Sequence, residues 1–152
     1  QASFNIGIDD RFAQAATLFR EWGLLGKEPV NVRGTKVVPQ HVVAALLPRP
    51  EEFAGKMRGD TCFVVELTGE MDGGRVKLKQ WTMMAHDEAY RLCGTNAGAY
   101  LVGTGGAVAT EMLADGIVKE KGIVIPEHLP PDDYLERLAA KGVTIQEETV
   151  QL

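Results

Sequence analysis

Apolar and polar residues alternate from Phe4 through Ile6 to Ile8, the period of a half-buried strand, and Asp9-Asp10 then supply helix N-cap chemistry. Phe12, Ala15, Ala16, Phe19 and Trp22 recur at helical spacing, and Gly23 stands where a C-terminal cap takes a left-handed residue. Val30 and Val32, a turn at Arg33-Gly34-Thr35 and then Val37-Val38 predict a short hairpin. Pro39 suits the first position of the next helix, whose apolar face is Val42, Val43, Leu46 and Leu47 and which Pro48 and Pro50 close. Thr61 to Thr68 and Arg75 to Met84 are rich in β-formers. They flank Glu70-Met71-Asp72-Gly73-Gly74, whose Asp-Gly step favours a tight turn, and together they predict the clearest hairpin of the chain.

Further along, Ala99 to Val102 reads as a buried strand. Gly103-Thr104-Gly105-Gly106 leads from it into a helix through Val108, Met112 and Leu113 that stops at Gly116. Pro130-Pro131-Asp132-Asp133 starts a last helix carrying Tyr134, Leu135, Leu138 and Ala139 up to Gly142, with Val143-Thr144-Ile145 as a final short strand. Helices that do not alternate one per strand, beside an antiparallel hairpin, describe an α+β domain with a mixed, largely antiparallel sheet. No internal repeat or low-complexity linker interrupts the pattern.

At 152 residues the chain has the size of one domain, and 45% apolar with 24% charged residues is an ordinary globular balance. The formal charge of −5 gives no general attraction to nucleic acid, and no apolar run approaches the roughly 20 residues of a membrane span. Cys62 and Cys93 stand 31 residues apart without a metal-ligand spacing, so two buried free thiols are expected. The N-terminus shows no basic segment leading into an apolar signal region, which favours the cytoplasm. It also lacks an initiator Met, as expected of a processed protein or of a piece cut from a longer polypeptide.

Three features bear on chemistry. The glycine stretch resembles a phosphate-seating turn, but a GxGxxG frame beginning at Gly103 meets Val108 at its third glycine, and no Lys-Ser or Lys-Thr follows. Tight helix packing and close approach to a substrate or neighbouring domain are the other readings of the same glycines. His86-Asp87-Glu88, followed by Tyr90 and Arg91, places five polar groups just after the long strand, where sites commonly lie and where a solvated turn is the plainer reading. Arg75, Lys77 and Lys79 alternate along one strand face that also carries Trp81 and Met83. The basic residues read as a solvated edge or an anion site, and with Trp81 and Met83 this side is also one that a partner subunit could cover. No serine elbow, activated cysteine or HExxH pattern is present.

An ordered series of residues is similar to one family. It comprises Trp22-Gly23-Leu24-Leu25, Val32 and Gly34 before Lys36-Val37-Val38-Pro39, Val43 with Leu46-Leu47, and Gly59-Asp60. It continues with the hairpin glycines Gly69 and Gly73, Thr104-Gly105 with Ala107 and Met112-Leu113, Gly116, Lys119 to Ile123, and Pro126-Glu127. The series resembles the C-terminal domain of saccharopine dehydrogenase-like proteins, which include saccharopine reductases, lysine 6-dehydrogenase-like enzymes and carboxynorspermidine dehydrogenases. It runs from about Asp9 to Ile145 and is sharpest from Thr104 to Glu127.

The resemblance implies that residues 1–152 form a substrate-binding and dimerisation domain. An N-terminal Rossmann domain outside this chain would bind NAD or NADP, and the enzyme would act on a carbon–nitrogen bond of a small amino-acid-like substrate. Thr104 and Gly105 are then expected at the substrate, with Arg91 and Arg33 as candidate carboxylate clamps and His86 as a candidate proton-transfer group. Many lysine-dehydrogenase-like members carry an Arg two residues before the Thr-Gly step, where this chain has Val102, and this departure puts lysine or amino-diacid specificity in question. A non-catalytic ligand-sensing or interaction domain on the same fold is the alternative.

Overall fold

The computed structural model describes residues 3–152. They belong to two compact units, one ending at Arg49 and one running from Pro50 to Leu152.

In the first unit, helix α1 (Asp10–Glu21) starts where the Asp9 carboxylate accepts the backbone N–H groups of Arg11 and Phe12, at 3.0 and 3.2 Å. Strands β1 (Val30–Val32) and β2 (Thr35–Val37) pair antiparallel across Arg33 and Gly34. Both turn residues are left-handed, with φ of 52° and 90°, as a two-residue turn that matches strand twist requires. Helix α2 (Pro39–Leu46) opens on Pro39 as expected. The strand expected at Phe4 to Ile8 does not form: this stretch has irregular backbone and its three large apolar side chains are exposed. Alternation makes a strand only where another strand's edge takes its N–H and C=O groups, and among the described residues none does.

The second unit begins with a 3₁₀ turn at Pro50–Phe53. Strands β3 (Asp60–Met71) and β4 (Gly74–Ala85) pair without a bulge, from Asp60 opposite Ala85 to Met71 opposite Gly74. Asp72 and Gly73 make the turn at φ of 53° and 79°, the left-handed pair that an Asp-Gly step favours. Helices α3 (His86–Cys93), α4 (Ala97–Ala114) and α5 (Pro131–Ala140) follow. Strand β5 (Gln146–Gln151) then returns antiparallel to the free side of β4, giving the order β3-β4-β5. Five helices with antiparallel sheets make this an α+β fold, as expected.

The core lies between helices and sheet. Met84 of β4, Ala89 of α3, Ala97, Leu101, Val108 and Met112 of α4 and Leu138 of α5 are buried together with Val118 and Val143. Helix α5 is fastened to α4 by polar contacts as well: Tyr100 donates its hydroxyl to the Lys141 carbonyl at 2.8 Å, and Lys141 pairs with Glu111 at 2.8 Å.

Three expectations need correction here. Ala99 to Val102 is not a strand and Gly103 to Gly106 is not a loop, because both lie inside α4. Buried positions Ala97, Leu101, Thr104, Val108 and Met112 step by four, three, four and four, which is a helix face, and a short apolar run cannot distinguish strand from helix without that longer register. The last strand is Gln146–Gln151 rather than Val143 to Ile145. Val143 is instead buried in the core, and the polar segment after it becomes a strand because β4 offers an open edge from Val76 to Trp81. Finally, Cys62 and Cys93 are free, but both are exposed rather than buried.

Candidate functional site

Within the second unit, α3 and α4 meet at a tight corner. The backbone N–H of His86 donates to the Gly59 carbonyl at 3.0 Å, so helix α3 begins as β4 ends. Gly94, at φ 72°, caps α3 in the left-handed conformation, and two residues later the Asn96 side chain accepts the Ala99 N–H at 2.9 Å to start α4. The first N–H of α4, that of Ala97, donates to His86 Nδ1 at 3.2 Å. That bond makes Nδ1 an acceptor and so assigns the proton of the neutral ring to Nε2, leaving one N–H free to donate.

A cavity of about 260 Å³ opens beside this corner. His86, Tyr90, Gly94, Thr95 and Asn96 line one side, and Glu51, Phe53, Ala54, Gly55 and Met57 line the other with Pro50. His86 and Tyr90 are four residues apart and therefore share a face of α3. Gly55 is needed opposite Tyr90: its φ is 69°, and a Cβ there would lie 2.8 Å from the Tyr90 ring. The lining combines an aromatic and thioether wall with a carboxylate, an imidazole N–H, a hydroxyl and an amide. It can orient a small polar group, and it is somewhat smaller than the roughly 300 Å³ lower limit for drug-sized ligands. A head group or one end of a longer molecule fits that volume.

The residues named from the sequence are only partly brought together. His86 lines the cavity, and Arg91 shares α3 with it but turns away from the lining, its Nε donating to the Asp87 carbonyl at 3.4 Å on an exposed face. Thr104 is buried in α4, and the carbonyl of Gly105 accepts the Tyr134 hydroxyl at 3.2 Å, so Gly105 sits at the α4–α5 contact. Arg33 belongs to the hairpin turn of the first unit. Sequence reasoning missed Asn96 and the segment Glu51 to Met57. A glycine followed two residues later by Asn is a legible helix–helix corner, whereas the 3₁₀ turn carries no periodic signal.

The central glycines of α4 have ordinary helical backbone, since none is among the residues with positive φ, and their N–H groups belong to the helix interior. They cannot form an amide cradle for a pyrophosphate. Among the described residues no cluster of three or more His, Cys, Asp or Glu could hold a metal ion, and no helix is long and apolar enough to cross a membrane.

Residues 6–143 match the family model described as the saccharopine dehydrogenase C-terminal domain. Carboxynorspermidine synthase of Vibrio alginolyticus is 31% identical over 141 residues, covering 92% of this chain and 34% of the relative. The protein of the same name from Vibrio cholerae serotype O1 matches to the same extent. Carboxyaminopropylagmatine dehydrogenase of Synechocystis is 24% identical over 143 residues, covering 94% and 36%. The chain thus spans about a third of the length of the curated relatives it matches.

Proposed function

Because the chain belongs to the saccharopine dehydrogenase C-terminal domain family, we propose that it is the substrate-binding and dimerisation domain of an NAD(P)-dependent oxidoreductase acting on a C–N bond. The family match over residues 6–143 is the observation that carries this reading. The names of the relatives add a reactant class: carboxynorspermidine, made by a synthase, and carboxyaminopropylagmatine, acted on by a dehydrogenase, are both amines bearing a carboxylate. A secondary amine with a carboxylate at one end is the proposed substrate or, in the reductive direction, product.

The proposed holder of the cofactor is a Rossmann domain elsewhere in the parent protein; within this chain the Gly103 to Gly106 stretch lies mid-helix. The part played by this chain is to bind and orient. His86 Nε2–H and the Asn96 amide supply donors to a substrate oxygen, Glu51 supplies a carboxylate for an ammonium group, and the Tyr90 and Phe53 rings flank the alkyl portion. Arg91, exposed on the same helix outside the cavity lining, is the proposed clamp for a distal carboxylate that extends beyond the cavity. A cytoplasmic location agrees with two exposed free thiols.

Two measurements test the reading. Calorimetric titration of this chain with NAD and NADP is expected to show no binding, and micromolar affinity for either would overturn the assignment of the cofactor to another domain. Steady-state kinetics of the parent protein on lysine-derived and polyamine-derived carboxylated secondary amines tests the site. His86→Asn keeps an acceptor near the Ala97 N–H while removing the donor at the Nε2 position, and it is expected to lower kcat/KM by about tenfold; Arg91→Ala is expected to raise KM. Wild-type turnover in both variants would reject these site residues. Inactivity of the wild type on the whole panel would favour a non-catalytic ligand-sensing domain.

A further inference from the structure

The two open edges of the β3-β4-β5 sheet are built differently. Strand β5 is six residues long and carries Glu147 and Glu148, which guard its edge with charge. Strand β3 is twelve residues long, has no proline and no bulge, and its outer side pairs with no strand among the described residues. Phe63, Val64, Val65 and Leu67 in its middle are 44%, 48%, 54% and 56% exposed, on both faces of the sheet. A long edge with an apolar middle of this kind is a template for another strand.

We propose that β3 pairs antiparallel with β3 of a second copy, across a twofold axis at Val64, to make one continuous six-stranded sheet. This rests on the dimerisation part of the reading above and specifies its geometry. An axis perpendicular to the sheet keeps each face continuous, so only residues of equal parity meet. With Val64 on the axis, Phe63 faces Val65 of the other copy, Thr61 faces Leu67, Cys62 faces Glu66 and Asp60 faces Thr68. No like charges are opposed. Sliding one step either way places Asp60 opposite Glu66 or Glu70, and centring on Glu66 opposes that carboxylate to itself, arrangements that are destabilising. Centring on Leu67 avoids this but sets Val65 against Gly69 and Val64 against Glu70. The self-complementary register is what selects a second copy as the occupant. Glu66 is meanwhile tied to Lys77 within its own sheet at 3.0 Å, so its charge is compensated where Cys62 of the partner would meet it.

The test separates edge pairing from packing through the sheet face that carries Met83, which is also exposed. Sedimentation of the wild-type chain across a wide concentration range is expected to show a dimer. Val64→Lys, which puts two ammonium groups on the axis, is expected to raise its dissociation constant at least tenfold, and Met83→Lys is expected to leave it unchanged. In a background of Cys62→Ser and Cys93→Ser, Val64→Cys is expected to form a disulfide-linked dimer on mild oxidation, because directly opposed strand residues lie about 4.5–5.5 Å apart, within disulfide reach. A dimer that Met83→Lys dissociates and that Val64→Cys fails to cross-link would overturn edge pairing while keeping self-association. A strictly monomeric wild type would overturn both and leave the substrate site standing.

Discussion

Met112→Ala is expected to lower the unfolding free energy by about 2–5 kcal/mol, the range for deleting a large buried side chain. Met112 and Val108 are the largest fully buried side chains among the described residues, and they lie one turn apart on the inward face of α4. The chain folds back over this point, since the Ile117 N–H donates to the Met112 carbonyl at 3.1 Å and Val118 packs into the same cluster. Truncation therefore leaves a void bounded by several elements that cannot all collapse into it. Met112→Leu keeps most of the volume and is expected to cost less than about 1.5 kcal/mol. Urea denaturation of the two variants checks this. A change within about 0.5 kcal/mol for Met112→Ala, the range of surface substitutions, would contradict the burial of this helix.

Gly105→Val is expected to destabilise the second unit by about 1–3 kcal/mol, as overpacking does. A Cβ at Gly105 would lie 2.9 Å from the Tyr134 hydroxyl, which also donates to the Gly105 carbonyl. Val must displace the ring and break that bond. Gly105→Ala costs less, because the roughly 1 kcal/mol gained in helix propensity offsets part of the displacement. Removing the hydroxyl should relieve the clash, so Tyr134→Phe combined with Gly105→Val is expected to recover part of the loss in a double-mutant cycle. Unchanged stability of Gly105→Val with abolished substrate binding in the parent protein would instead return Gly105 to the substrate site.

Gly105 illustrates how much of the site was legible. Packing against another helix was among the readings its sequence context allowed, and the structure realises that one through Tyr134, a residue 29 positions away. No local pattern links the two. His86 was visible as a polar residue at the end of a strong strand. Its bond to the Ala97 N–H, which settles the tautomer and aims the free N–H, required the α3–α4 corner to close. The cavity's opposite wall, Glu51 to Met57, is irregular or 3₁₀ backbone brought up by the chain entering β3, and such segments have no period to detect.

Local chemistry decided wherever it was sufficient. The Asp9 cap, Pro39 and Pro131 in first helical turns, and the Arg33-Gly34 and Asp72-Gly73 turns all appear as read, because capping and left-handed turn geometry depend on residues within a few positions of each other. The family was legible for a related reason, its residues being spread in order along the chain. Tertiary structure decided whatever needed a distant partner. Phe4 to Ile8 alternate like a strand yet pair with no strand among the described residues, whereas Gln146 to Gln151 show little apolar pattern and become a strand because β4 supplies an edge. Hydrogen-bond pairing between strands is a property of two segments, and no single segment's composition contains it.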